Sequence, residues 1–242
     1  MIASDLPRRI AAELIGAGLL VAAVVGSGIM ATQLTGDVGL ELLINALATT
    51  TALGVLIWTL GPISGAHFNP AVTLVAAVRK EVRVGESVCY VLAQCVGAML
   101  GVALANIMFE LPAWQAAERS RVSFGALLGE VVATAGLLWV IGALTRSRHG
   151  HLGPVLVPAW IGAAYFFTAS TSFANPAVTL GRGFSDSFAG IAPSSIGPFV
   201  LAQFVGAGIG ALLTEYFHPR RGTRPEPLDL PDPIHEARGE HS

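Results

Sequence analysis

Charge is what this chain has least of. Asp, Glu, Lys and Arg make up 12% of its 242 residues, roughly half the share of an average soluble domain, too little for an ordinary water-facing surface. The net charge of −2 and a pI near 6.3 leave no basic footprint, so nucleic acid is not an expected partner. Cysteine is almost missing as well. Cys89 and Cys95 fall on one predicted helix and face different directions, so neither a disulfide nor a thiolate metal site is expected. No nucleophile paired with a base and no metal-ligating set stands out. The chain reads as a non-enzyme with no cofactor and no metal.

What it does have is apolar length. Hydrophobic residues make up 53%, mean hydropathy is +0.64, and 28 glycines suit close helix packing. Six stretches are long enough to span a bilayer, at Ile10 to Ala31, Leu40 to Leu60, Glu86 to Phe109, Ser123 to Leu144, Leu152 to Ser170 and Ser194 to Phe217.

The hexapeptide Asn-Pro-Ala-Val-Thr-Leu occurs twice, at Asn69 to Leu74 and at Asn175 to Leu180. Asn is a strong helix N-cap and Pro suits the first helical position, so each copy predicts a helix start. Such a start at bilayer depth exposes free N–H groups and a positive dipole end, which is tolerable only along a polar cavity. The first copy falls between spans two and three, the second between spans five and six. Each half, about 10–109 and 123–217, is therefore three spans plus one half-helix. Other echoes agree: Ala93-Gln94-Cys95-Val96-Gly97-Ala98 returns as Ala202-Gln203-Phe204-Val205-Gly206-Ala207, and Glu13 and Glu130 match in the first span of each half. The fold class expected is an all-α membrane protein of six transmembrane helices and two re-entrant half-helices in an inverted repeat.

An odd number of spans per half inverts the two copies, and the basic residues sort accordingly. Arg119, Arg121 and Arg182 fall on one side, and every other Lys and Arg on the side of both termini. The positive-inside rule places that side, with residues 1–9, in the cytoplasm. The first span has no small-residue cleavage site after a short apolar core and reads as a retained helix. From His218 to Ser242 the chain turns polar and proline-rich, and a disordered cytoplasmic tail is expected.

With these motifs in hand, the chain from Ile10 to Phe217 resembles the aquaporins, the major intrinsic protein family. The resemblance rests on two Asn-Pro-Ala motifs, Ser64-Gly65-Ala66-His67-Phe68 before the first, and a buried glutamate in each half. It implies a right-handed bundle, a homotetramer with one pore per subunit, and a pore around Asn69, Pro70, Ala71, Asn175, Pro176 and Ala177. It also implies a four-position outer constriction, which spacing puts at Thr49, Ala163, Ser172 and Val178. A small register change would bring Tyr165 or Phe166 in instead of Ala163. The family nearly always sets an arginine where this chain has Val178, and glycerol-conducting members follow with an aspartate where this chain has Thr179. The valine resembles a bacterial branch associated with arsenic resistance. That likeness implies a bacterial inner (plasma) membrane and neutral solutes such as arsenite, with methylated arsenicals, glycerol and water as further candidates. A plain water or glycerol channel is the alternative, and a proton-coupled secondary transporter a more distant one.

Bland readings stand beside the functional ones. His67 either lines the pore or is satisfied by local backbone. Arg182, one turn beyond Val178, either reaches the outer mouth or, the favoured reading, snorkels to the headgroups. Glu13 and Glu130 read as structural acceptors for loop N–H groups rather than proton carriers. Gln94 and Gln203 are expected to do similar packing work.

Overall fold

The computed structural model describes residues 5–220, which are helical or loop with no strand among them. The helices are α1 (Leu6–Leu34), α2 (Val38–Ser64), α3 (Pro70–Val78), α4 (Val84–Met108), α5 (Phe124–Arg146), α6 (Gly153–Phe167), α7 (Pro176–Arg182) and α8 (Pro193–Phe217). Six of them are long and apolar enough to cross a membrane, the fifth counted from a 3-10 turn at Gly150. α3 and α7, of 9 and 7 residues, are not. The expected tail lies outside the described residues from 221 onward.

Side-chain caps fix several starts. Asp37 accepts from the Leu40 N–H at 3.0 Å and Ser123 from Ala126 at 3.1 Å, each cap being worth about 1 kcal/mol. α2 runs past its expected end, through Pro62, and stops at Gly65, whose φ of 91° suits a residue without a Cβ. The outer surface is apolar, with Leu47, Val55, Trp58, Leu92, Leu201 and Leu212 exposed, as lipid requires.

Small residues let the spans close on one another. α1 packs on α4 and α5 on α8, the equivalent pair of the other half. At Gly97 and Gly101 of α4 an added Cβ would collide with the backbone carbonyls of Leu14 and Gly18; at Gly206 and Gly210 of α8 it would collide with those of Val131 and Ala135. The two Gly-x-x-x-Gly faces are thus a second duplicated element, used for backbone-to-backbone approach. The half-helices fill the space that remains. α3 packs on α4 and α8, α7 packs on α1, α4 and α8, and α3 and α7 meet.

A carbonyl cannot move aside as a flexible side chain can. Gly101→Ala and Gly210→Ala should each cost about 1–3 kcal/mol by overpacking and lower the thermal midpoint of the purified protein. Gly208→Ala, with nothing within 4 Å of its added Cβ, should leave the midpoint unchanged. An unchanged midpoint in Gly101→Ala would mean that α1 and α4 are not in backbone contact.

Candidate functional site

The two loops that precede α3 and α7 have the same backbone. Ala66 and Phe68 have φ of 50° and 47°, and the matching Ser172 and Ala174 have 53° and 48°. These left-handed conformations cost non-glycine residues of order 1–3 kcal/mol each, so they persist only where the surroundings impose them. The glutamates do this. Glu13 accepts from the N–H groups of His67 at 3.0 Å and Phe68 at 2.7 Å. Glu130 accepts from Phe173 and Ala174, both at 2.9 Å. Each carboxylate is fully buried and holds the two N–H groups just before its asparagine.

The glutamines extend the same pattern. Gln94 donates to Glu13 at 2.8 Å and to the Thr73 hydroxyl at 2.9 Å; Gln203 donates to Glu130 at 2.6 Å and to Thr179 at 2.8 Å. Thr73 and Thr179 in turn donate to the carbonyls of Asn69 and Asn175. This explains the threonine of the repeated hexapeptide, whose part the sequence reading missed although its repetition was the signal. In the first half Ser64 adds a bond to Glu13 at 2.6 Å, and Arg9 reaches Ser64 through the Tyr90 hydroxyl.

The asparagines tie the halves together. Oδ1 of Asn69 caps α3 through Ala71, while its amide donates to the Ala174 carbonyl at 2.8 Å. Asn175 caps α7 through Ala177 and Val178, and its amide donates to the Phe68 carbonyl at 2.8 Å. An asparagine amide carries two donor hydrogens, so one on each residue remains for the cavity beside it. Pro70 and Pro176 open the two half-helices, and Ala71 and Ala177 are fully buried behind them.

Both asparagines line a cavity of about 310 Å³. At the end nearer the termini it is bounded by Arg79, Glu81 and Gly150; its far end is bounded by Thr49, Tyr165, Ser172, Val178 and Arg182. His67 also lines it, with Nδ1 3.1 Å from the Thr73 hydroxyl. Most of the remaining wall is aliphatic.

Two expectations are corrected. Ala163 is exposed on the outer face of α6, and Tyr165, two residues on, is buried and donates to the Thr49 hydroxyl at 3.2 Å. The helical register therefore brings an aromatic to the far end of the cavity, whereas Phe166 is exposed to the outside. Arg182 does not snorkel. It is 3% exposed, its Nε donates to the Ala189 carbonyl at 2.5 Å, and its guanidinium lies 3.4 Å from the Phe173 ring centre. Val178, one turn inward, is 5% exposed and leaves the wall apolar at that point. Phe173 itself, which holds Arg182 in place, was not singled out from the sequence. Cys89 and Cys95 are both free thiols.

A family model described as Major intrinsic protein matches residues 2–213. Aquaglyceroporin AqpS of Rhizobium meliloti (strain 1021) is 51% identical over 203 residues, covering 84% of this chain and 87% of that protein. Aquaporin TIP4-4 of Zea mays is 29% identical over 235 residues, covering 93% and 92%. The X-ray structure of the aquaglyceroporin from Plasmodium falciparum shares the fold, with a TM-score of 0.64 at 22% identity over 88% of this chain and 96% of that one. The duplicated half-helix loops, the membrane-length spans and the family match agree that this chain belongs to the major intrinsic protein family, a family of membrane channels and not of enzymes.

Proposed function

We propose that the protein is a passive channel for small neutral solutes, water and glycerol among them, with a constriction wide and apolar enough for arsenite and methylated arsenicals. The observation that carries the finer reading is Val178. It lines the far end of the cavity in the place where the family resemblance sets an arginine, and the planar five-donor group is replaced by an aliphatic one. The proposed constriction is Thr49, Tyr165, Ser172 and Val178, with Tyr165 taking the part first expected of Ala163. Thr49, Tyr165 and Ser172 bring hydroxyl groups to the cavity wall, and Val178 brings none. That suits solutes carrying both hydroxyl and apolar surface.

The same reading assigns Asn69 and Asn175 the central donors. They orient a passing molecule where the positive ends of two half-helix dipoles disfavour cations. Glu13 and Glu130 are structural in this reading. Each accepts hydrogen bonds from two loop N–H groups and a glutamine in the buried state, so its oxygens are engaged in holding the loop. The homotetramer, the bacterial inner membrane and the cytoplasmic placement of both termini belong to the proposal too. The last rests on the sorting of basic residues about the bundle.

Val178→Arg tests the selectivity. Uptake of a methylated arsenical by cells or vesicles should fall about tenfold or more, equivalent to about 1.4 kcal/mol or more, while water permeability at matched expression is retained. Unchanged uptake of the bulky solute would remove Val178 from the selectivity site. An uncoupler separates the passive reading from proton-coupled transport: solute uptake should be unaffected, and a collapse would favour coupling through Glu13 or Glu130. Glu130→Gln should destabilise the fold by about 1–3 kcal/mol, since a neutral amide cannot serve the two loop N–H groups and Gln203 as the carboxylate does. A Glu130→Gln protein as stable as the parent, with uptake newly insensitive to pH, would contradict the structural role.

A further inference from the structure

We propose that the mouth opposite the chain termini carries a binding site for a small oxyanion of the phosphate class, built by Arg119, Arg121 and Arg182. These are the three basic residues that the sequence sorts to that side of the bundle, and the fold gathers all of them at one place. With Asn45, Thr171 and Phe188 they line a separate cavity of about 90 Å³. That is about three times the volume of a liquid water molecule, suited to a small tetrahedral anion.

The three side chains are anchored in a way that leaves donors unused. Arg182 spends Nε on the Ala189 carbonyl, and neither of its Nη groups has an acceptor among the described residues although the residue is 3% exposed. Arg121 spends Nε on Gly190 at 2.7 Å and one Nη on Phe188 at 2.8 Å, which leaves the other Nη. Arg119 makes one long bond to Phe188 at 3.4 Å. Arg182 and Arg121 both stack on Phe173, and Arg119 stacks on Phe188, so aromatic rings, not carboxylates, hold the cluster. The Thr171 hydroxyl is a further donor with no partner among the described residues.

No carboxylate forms an ion pair with these guanidinium groups among the described residues, and Glu130 acts on Arg121 and Arg182 only from beyond ion-pair distance. Among the described residues, none of the three has an acidic oxygen within 4.0 Å. Asp186 accepts the Glu118 N–H, and Glu130 is occupied by Phe173, Ala174 and Gln203. Glu41, one turn before Asn45 on α2, pairs with no arginine among the described residues. Burial beside Arg182 and Arg119 brings the Arg121 guanidinium down to about 9 from its usual range. Gathering like charges with partial desolvation is unfavourable unless a counter-charge arrives, and a fork of guanidinium donors matches the oxygens of an oxyanion.

Arg182 borders both this cavity and the larger one, one turn outward from Val178. A bound anion would therefore narrow the solute path at its far mouth. This site stands apart from the solute assignment, since it needs only the folded cluster.

The test is calorimetric titration of the purified full chain with inorganic phosphate, against chloride at the same ionic strength. Saturable binding is expected in the parent, weakened about tenfold, or by about 1.4 kcal/mol, in Arg119→Gln and in Arg182→Lys. Vesicles with phosphate on the mouth side should also show slower glycerol permeation than with chloride. Absence of saturable binding to the folded parent would overturn the proposal, and so would binding that Arg119→Gln leaves unchanged. Arg119 is exposed and touches the turn least, so that variant remains decisive if Arg182→Lys fails to fold. A competing titration with a short-chain phosphatidylglycerol in mixed micelles assigns the source: displacement of phosphate marks a lipid headgroup as the occupant, and no displacement marks a free anion. Water permeability of the same vesicles reads the channel separately.

Discussion

Two amide-to-carbonyl hydrogen bonds hold the centre of this molecule. Asn69 of one half donates to Ala174 of the other, and Asn175 donates back to Phe68. Each asparagine also caps its own half-helix, so one side chain both starts a helix and fixes where that start sits against its twin. The remaining architecture follows from holding those starts at bilayer depth. The loops before them take left-handed backbone at non-glycine residues, their N–H groups turn back onto Glu13 and Glu130, and Gln94 and Gln203 orient the carboxylates. A carboxylate can be kept in a membrane interior only with such a set of donors, and the two halves have the same solution. Glycine then matters at the outer contacts, where α4 and α8 must lie against carbonyls of α1 and α5 to close the bundle around the half-helices.

Much of this was legible in the sequence, because the signals were local and repeated. The Asn-Pro pairs mark helix starts by capping chemistry alone, the six apolar runs mark spans, and the odd number of spans inverts the halves. Glu13 and Glu130 were expected to serve loop N–H groups because a buried carboxylate needs donors and a re-entrant loop needs acceptors. The parts that were not legible depend on angle and distance. Counting residues back from Asn175 reached Ala163, but the rotation of α6 presents Tyr165 to the cavity two residues later, and spacing along a chain carries no information on helix rotation. Arg182 was expected in the headgroups by the habit of long cationic side chains; instead the Ala189 carbonyl and the Phe173 ring hold it indoors. The meeting of Arg119, Arg121 and Arg182 depends on the loop before α5 reaching the end of α7, which no local pattern encodes.

The electrostatics of the far mouth follow from the same placement. A valine stands where a cation would narrow and polarise the constriction, and the chain's cation lies one turn farther out, fixed by an aromatic ring. The polar elements beside the asparagines are the half-helix dipoles, the asparagine donors and His67, between largely aliphatic walls. In the proposed function, ions are opposed there by loss of hydration and by the dipole ends, and neutral solutes with some apolar surface are the ones favoured. Tyr165 brings an aromatic ring to the far end of the cavity, and its hydroxyl donates to Thr49 there.

The proposed function requires a continuous path through this bundle that passes neutral solutes larger than water. Stopped-flow light scattering of vesicles containing the purified chain, shrunk by a glycerol gradient, tests it most directly. Fast shrinkage is expected as water leaves, then re-swelling as glycerol enters faster than in protein-free vesicles. Fast shrinkage with glycerol entry no faster than in protein-free vesicles would contradict it and mean that Tyr165 and Arg182 close the far end to everything but water.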